Sequence, residues 1–140
     1  MIHKQAAIGH GHRVRAHNAL RCTHRDQAGM MADEATQLRK GVLELAILRL
    51  LKSQELYGAQ IVAKLSEFPG LNSSAGTIYP ILTRLTKAGS LSASWRESPV
   101  GPPRKYYAIT ADGLASLTSQ TAAWHTLTLA LDSLLGAHHA

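Results

Sequence analysis

The stretch Leu91-Ser-Ala-Ser-Trp-Arg-Glu-Ser-Pro-Val-Gly-Pro-Pro-Arg-Lys-Tyr-Tyr-Ala-Ile-Thr110 decides how the rest of the chain is read. Residues 91–97 alternate, with Leu91, Ala93 and Trp95 on one side and Ser92, Ser94 and Arg96 on the other, the pattern of a half-buried strand. Ser98 to Pro103 is a turn, and residues 105–109 form a second strand on which one of Tyr106 and Tyr107 faces the core and the other the surface. The two strands make a hairpin whose tip, Val100-Gly101-Pro102-Pro103-Arg104, is stiffened by its prolines and carries positive charge at Arg104 and Lys105. Thr110 then caps a final helix, with Asp112 in its first turn favoured by the helix dipole.

Upstream of the hairpin the periodicity is helical. Leu38, Val42, Leu45 and Leu48 recur at helical spacing over residues 37–53, joined by Leu43, Ile47, Leu50 and Leu51, so this first helix has a broad apolar arc and two packing partners. Leu56-Tyr57-Gly58 breaks the pattern, and a shorter helix follows over about 58–67 with Ile61, Val62 and Leu65 inward. Pro69-Gly70 ends it. Asn72-Ser73-Ser74 is an N-cap cluster for a third helix that runs to about Ala88, with Gly89 as its C′ residue. Ile78, Leu82 and Leu85 share its inner face. Thr83 and Lys87 lie opposite, flanked by Tyr79, Pro80 and Arg84.

Helix, helix, helix, strand, basic turn, strand and long helix predict a mainly α fold with a small β-hairpin wing: a winged helix-turn-helix domain plus a C-terminal helix. A third helix of this kind fits a DNA major groove about 12 Å wide. The candidate DNA-contacting residues are Ser74 at the helix mouth, Thr77, Tyr79, Pro80, Thr83, Arg84 and Lys87 along it, and Arg104 and Lys105 on the wing. Lys87 suits a phosphate better than a base. Tyr79 reads equally as a packing residue at the start of its helix, and Tyr57 as a turn-packing residue.

Charge agrees with this placement. Of 140 residues, 1–36 carry a net +2, 37–110 a net +6 and 111–140 a net −2, so the middle segment accounts for the imbalance and invites a polyanion. The expected division is a disordered arm over 1–36, a DNA-binding unit over 37–110, a dimerisation helix over 111–135 and a tail over 136–140. The arm holds five histidines and no apolar periodicity. It reads either as a source of non-specific DNA affinity or as sequence upstream of a translation start at Met30 or Met31. Its Gly9-His10-Gly11-His12 lacks a carboxylate or cysteine partner, so no metal is expected, and no cofactor either.

In the final helix Leu117, Trp124 and Leu131 are seven residues apart, with Leu127 and Leu134 alongside and no charge between Asp112 and Asp132. That is a partner-seeking face, expected to form a homodimer. Trp124 reads either as a core residue of the dimer interface or as a platform for a flat aromatic ligand, for which Ala122 and Ala123 leave room.

Other classes recede. No apolar run of about 18 residues or secretory apolar region is present, so the expectation is a cytoplasmic protein with no membrane partner, on the nucleoid when bound. The single cysteine, Cys22, permits neither an intrachain disulfide nor a Cys-rich zinc site. No nucleophile with a base, phosphate-cradling glycine loop or paired acids suggests catalysis, and an enzyme is not expected. A winged-helix adaptor that binds protein rather than DNA is the alternative reading.

The series Tyr57-Gly58, Gly76-Thr77-Ile78-Tyr79-Pro80-Ile81-Leu82-Thr83-Arg84-Leu85, Trp95, Gly101-Pro102-Pro103-Arg104-Lys105-Tyr106-Tyr107-Ala108-Ile109-Thr110 and Gly113 resembles the phenolic-acid decarboxylase regulator (PadR) family of bacterial transcription factors, over about residues 37–135. The single short C-terminal helix resembles its smaller subfamily. The resemblance implies a dimeric winged-helix repressor that binds double-stranded DNA at an inverted repeat. It further implies, from drug-sensing members, release by a small aromatic effector at a tryptophan corresponding to Trp124. One departure is Ser90, where the family usually has an apolar residue after the glycine. It is expected to loosen the hairpin base and leave the fold intact.

Overall fold

The computed structural model describes residue 39 and residues 41–136. The expected arm, all but the first residue of the expected tail, and the readings placed on them lie outside the described residues. The elements are α1 (Leu43–Ser53), β1 (Leu56–Tyr57), α2 (Gly58–Ser66), α3 (Ala75–Lys87), β2 (Leu91–Arg96), β3 (Arg104–Ile109) and α4 (Ala111–Leu135). Three helices, a hairpin and a long last helix follow in the expected order.

The first helical stretch is interrupted where its periodicity suggested continuity: Arg39 is helical and a turn separates it from α1. Gly41 and Val42 form a turn and Leu43 is the first residue of α1. Glycine inside a helix costs about 1 kcal/mol relative to alanine, which favours a start beyond it. From there Leu43, Ile47, Leu48 and Leu51 turn into the core, and the arc is broad because α1 packs against α2, α3, α4 and β3. The core adds Leu56, Ile61 and Leu65, then Ile78, Leu82 and Leu85 from α3, with Leu91 and Tyr107 from the hairpin. Each such aliphatic side chain stabilises the fold by about 1.5–3 kcal/mol on burial.

A third strand was not expected. Leu56 and Tyr57 pair antiparallel with Tyr107 and Tyr106, giving a sheet ordered β1-β3-β2. Two residues are too few to show alternation. On the hairpin itself Leu91 pairs with Ile109, Ala93 with Tyr107 and Trp95 with Lys105, so one register governs both faces. Tyr107 is the core tyrosine, at 4% exposure. Trp95 departs from the half-buried strand expected: it shares the inner face of Leu91 and Ala93 yet is 70% exposed. The hairpin runs out past the helices before it reaches residue 95, and alternation sets a side chain's direction, not what lies in front of it.

Helix α3 ends in a Schellman motif. Gly89, at φ +82°, donates its N–H to the Thr86 carbonyl at 3.1 Å, and Ser90 donates its N–H to Leu85 at 3.0 Å. Ser90 does not loosen the hairpin base as expected. It is buried, and its carbonyl accepts the Thr110 N–H at 3.1 Å. The Thr110 hydroxyl accepts the Gly113 N–H at 3.0 Å, capping α4, and lies 2.6 Å from the Gly89 and 3.0 Å from the Ser90 carbonyl oxygen. Gly113 presses on the Ser90 carbonyl and the Ile109 side chain so closely that a Cβ there would overlap both.

Two substitutions test this packing. Gly113→Ala, although favourable by helix propensity, should lower stability by about 1–3 kcal/mol through overpacking, read as a shifted midpoint in urea. Burial raises the Tyr107 phenol above its ordinary value of 10.0, with the neighbouring Tyr79 adding to the shift. The neutral phenol is favoured in the fold, so its contribution is complete below pH 10.0 and is lost as pH rises through the raised value. Tyr107→Phe should flatten the alkaline fall in stability without steepening the acid one.

Candidate nucleic-acid interface

The candidate residues of α3 are delivered to the surface by its inner face. With Ile78, Ile81, Leu82 and Leu85 buried, Thr77, Tyr79, Pro80, Thr83, Arg84 and Lys87 are exposed on the opposite side. Ser74 is the N-cap by backbone geometry, its carbonyl accepting the Thr77 and Ile78 N–H groups at 3.0 and 3.1 Å. Its hydroxyl bonds to that of Thr77 at 3.2 Å rather than to a backbone donor. Pro80 is the sixth residue of α3, past the turn where proline is free of cost. It has no N–H to offer the Gly76 carbonyl.

Tyr79 has both readings at once. Its ring lies over Gly58, where a Cβ would come within 2.6 Å of the ring carbon and hydroxyl, and it still keeps 43% of its surface exposed. The first residue of α2 must therefore be glycine for Tyr79 to sit down. Gln60 holds that corner, accepting the Tyr57 N–H on its Oε1 at 3.2 Å.

A groove runs between α3 and the hairpin, lined by Tyr57, Gly58, Ala59, Tyr79, Thr83, Trp95, Arg104, Lys105 and Tyr107. Four of the expected contact residues, Tyr79, Thr83, Arg104 and Lys105, thus meet in one place. The wing cations rest on rings. The Arg104 guanidinium lies 4.5 Å from the centre of the Tyr57 ring, and Tyr57 meets Tyr106 edge-on at 5.5 Å. The Lys105 Nζ lies 6.0 Å from the Trp95 and 5.8 Å from the Tyr107 ring centres. Such contacts are worth about 0.5–1 kcal/mol each at exposed sites. Tyr57, expected only to pack a turn, is the seat of Arg104.

Arg84 stands apart. It pairs with Glu44 of α1 at 3.0 Å, both partly exposed, and so is tied toward the first helix while Lys87 projects from the last turn. The sequence reading missed Arg96, which crosses the outer face of the sheet over Tyr106, 4.5 Å from its centre, to pair with Glu55. The register places Arg96 directly opposite Arg104, and like charges so placed repel unless something offsets them. Strand alternation put Arg96 outward, but no local signal linked it to Glu55, 41 residues earlier.

The C-terminal residues separate into two groups. Leu117 is corrected: at 5% exposure it belongs to the core of its own chain and not to an open face. Trp124, Leu127, Leu131 and Leu134 are exposed, Leu134 at 83%, with Leu129 and Leu135 beside them. The seven-residue row starts inside the domain and leaves it, because α4 is about 37 Å long and the core covers only its first two turns. Near Trp124, a cleft of about 240 Å3 opens between α4 and the start of α1, lined by Gly41, Val42, Glu44 and Leu45 on one side and Gln120, Ala123, Trp124 and Leu127 on the other.

Helices α2 and α3 with the flanking hairpin define a winged-helix protein, with one basic, aromatic-backed face. Residues 47–119 match the model of the transcriptional regulator PadR-like family, and the chain belongs to that family. It is similar to a PadR family transcriptional regulator from Eggerthella lenta, at 31% identity, with 81% of this chain and 99% of that one covered and a TM-score of 0.72. A PadR-like transcription factor from Bacteroides fragilis is 40% identical, covering 73% of this chain and 98% of that one at a TM-score of 0.61. A PadR-like regulator from Bacillus cereus is 35% identical, covering 73% and 99% at 0.65. The chain is accordingly a DNA-binding transcriptional regulator, and the family is not one of enzymes. No helix among the described residues is long and apolar enough to cross a membrane.

Gly58→Ala should lift the Tyr79 ring from its seat. Duplex affinity is expected to fall by about fivefold, equivalent to roughly 1 kcal/mol, with a smaller proportional loss of thermal stability. Equal affinity for wild type and variant would show that the seat does not matter to DNA.

Proposed function

We propose that the protein is a homodimeric repressor that binds an inverted-repeat operator and is released by a small flat aromatic compound at the dimer interface. The observation that carries this reading is the presence of two separate surfaces on one small domain. One is the groove with its ring-backed cations, and the other is α4 with its exposed leucines.

On the DNA side, α3 enters the major groove with Thr77, Tyr79, Pro80 and Thr83 toward the bases and Ser74 at its mouth. Arg84 exchanges Glu44 for the operator, and Lys87, Arg104 and Lys105 hold phosphates. Residues 37–110 are the DNA-binding unit and 111–135 the dimerisation helix. Exposed leucines in mid-helix are costly in water and gain about 25 cal/mol per Å2 when covered. A second copy of α4, laid across Trp124, Leu127, Leu131 and Leu134, covers them. A two-fold axis then sets two α3 helices roughly 34 Å apart, one turn of DNA.

The cleft at Trp124 supports an effector reading. Its volume of about 240 Å3 is below the roughly 300–1,000 Å3 of complete ligand sites. Joined to its symmetry mate across the dimer it becomes large enough for one flat molecule between two indoles. A ligand that binds one spacing of the two α4 helices better than the other shifts the population away from the DNA-bound form.

The test is a footprint on the intergenic DNA flanking the gene, over a series of salt concentrations and with candidate aromatic compounds. Two-fold symmetric protection that such a compound relieves is the expected result. Equal affinity for random duplexes would sink operator recognition. Arg104→Ala should weaken binding to all sequences alike and reduce the slope of log K against log salt by about 0.9. Leu131→Glu should convert the dimer to a folded monomer in sedimentation and cost far more operator affinity than Arg104→Ala.

A further inference from the structure

The wing carries a large apolar surface that the fold leaves open and to which the contacts described above give only Lys105 as a neighbour. Trp95 is 70% exposed at the outer end of β2, on the face of the hairpin that looks toward α3. An indole left this open on a small domain is uncommon and marks an interaction site more often than a packing defect. Its surroundings say what kind of partner fits. Lys105 is its direct cross-strand neighbour, with Nζ 6.0 Å from the ring centre and 5.8 Å from that of Tyr107. The ammonium thus lies within reach of two rings, and Trp95 and Lys105 line the groove together with Tyr79 and Thr83. An apolar ring followed by a fixed cation complements a strand backbone in which an apolar deoxyribose is followed by an anionic phosphate.

Resting on the reading of α3 and the wing as the DNA interface, we infer that Trp95 is a DNA-contacting residue of the wing. Its indole face packs against a deoxyribose of the strand bordering the groove that α3 reads, and Lys105 takes the adjoining phosphate. The contact is non-ionic and carries no base preference. It positions the duplex against α3, as sugar and phosphate contacts generally do, and it covers the open indole at the same time. Tryptophan is among the side chains that most often carry binding energy when an interface closes over them.

The experiment measures duplex affinity of the full chain over a range of potassium chloride for wild type, Trp95→Ala, Trp95→Phe and Lys105→Ala, with melting temperatures for each. Trp95→Ala should weaken binding about fivefold or more at every salt concentration, with the salt slope unchanged, while Trp95→Phe recovers most of the loss. Lys105→Ala should instead lower the slope by about 0.9. Trp95→Ala within twofold of wild type overturns the inference. So does a loss of affinity that tracks a fall in melting temperature and is not recovered by phenylalanine. Wild type that binds duplex with a clear salt slope while Trp95 stays silent overturns this inference alone. Absence of any salt-dependent binding overturns the operator reading as well.

Discussion

Everything functional in this chain hangs from the contact of Thr110 and Gly113 with the turn at Gly89-Ser90. Within a few ångströms the end of α3, the start of β2, the end of β3 and the start of α4 are joined by the Schellman bonds, by the Thr110 N–H on the Ser90 carbonyl and by the Thr110 cap on Gly113. Helix α3, which carries the exposed candidate row from Thr77 to Lys87, and α4, which carries the exposed leucines, therefore share one packed corner. Gly113 lies against Ser90 with no room for a methyl group, so α4 and this turn meet backbone to backbone. A packed corner of this kind passes on small displacements instead of deforming.

The wing solves a second problem, that of concentrating cations without losing order. Arg96 faces Arg104 across the hairpin, and their repulsion is offset by Glu55 on one and a tyrosine ring under each. Long side chains laid on rings have given up rotamer freedom before any ligand arrives, so less is lost on docking. Arg84 is managed differently, by an exposed pair with Glu44, which contributes little to stability and is readily exchanged for a phosphate. The prolines at 102 and 103 and the ring contacts serve the same end at two points along one hairpin.

The last helix shows how one seven-residue pattern can run from a buried setting into an exposed one. Leu117 closes the core of its own domain, and from Trp124 onward the apolar residues face outward. Helical geometry requires nothing to change along α4. What changes is the cover: the core seals only the first two turns, and beyond them the start of α1 lies alongside across the cleft at Trp124.

Much of this was legible in the chain itself, because periodicity, caps and turn residues are local physics. The inner rows of α1, α2 and α3, the alternation of β2, the Thr110 cap and the glycine at the end of α3 follow from spacing and from what proline, glycine and threonine permit. The exposed row from Thr77 to Lys87 followed as the complement of the buried one. The rest depended on which elements lie beside one another. No local rule made Tyr57 the seat of Arg104, tied Arg96 to Glu55, turned Arg84 toward Glu44 or required glycine at 58 under Tyr79. Alternation gave Trp95 a direction, and only the reach of the core decided that it would stand in the open. Sequence determines which way a side chain points from its own backbone; the tertiary structure alone decides what, if anything, it meets there.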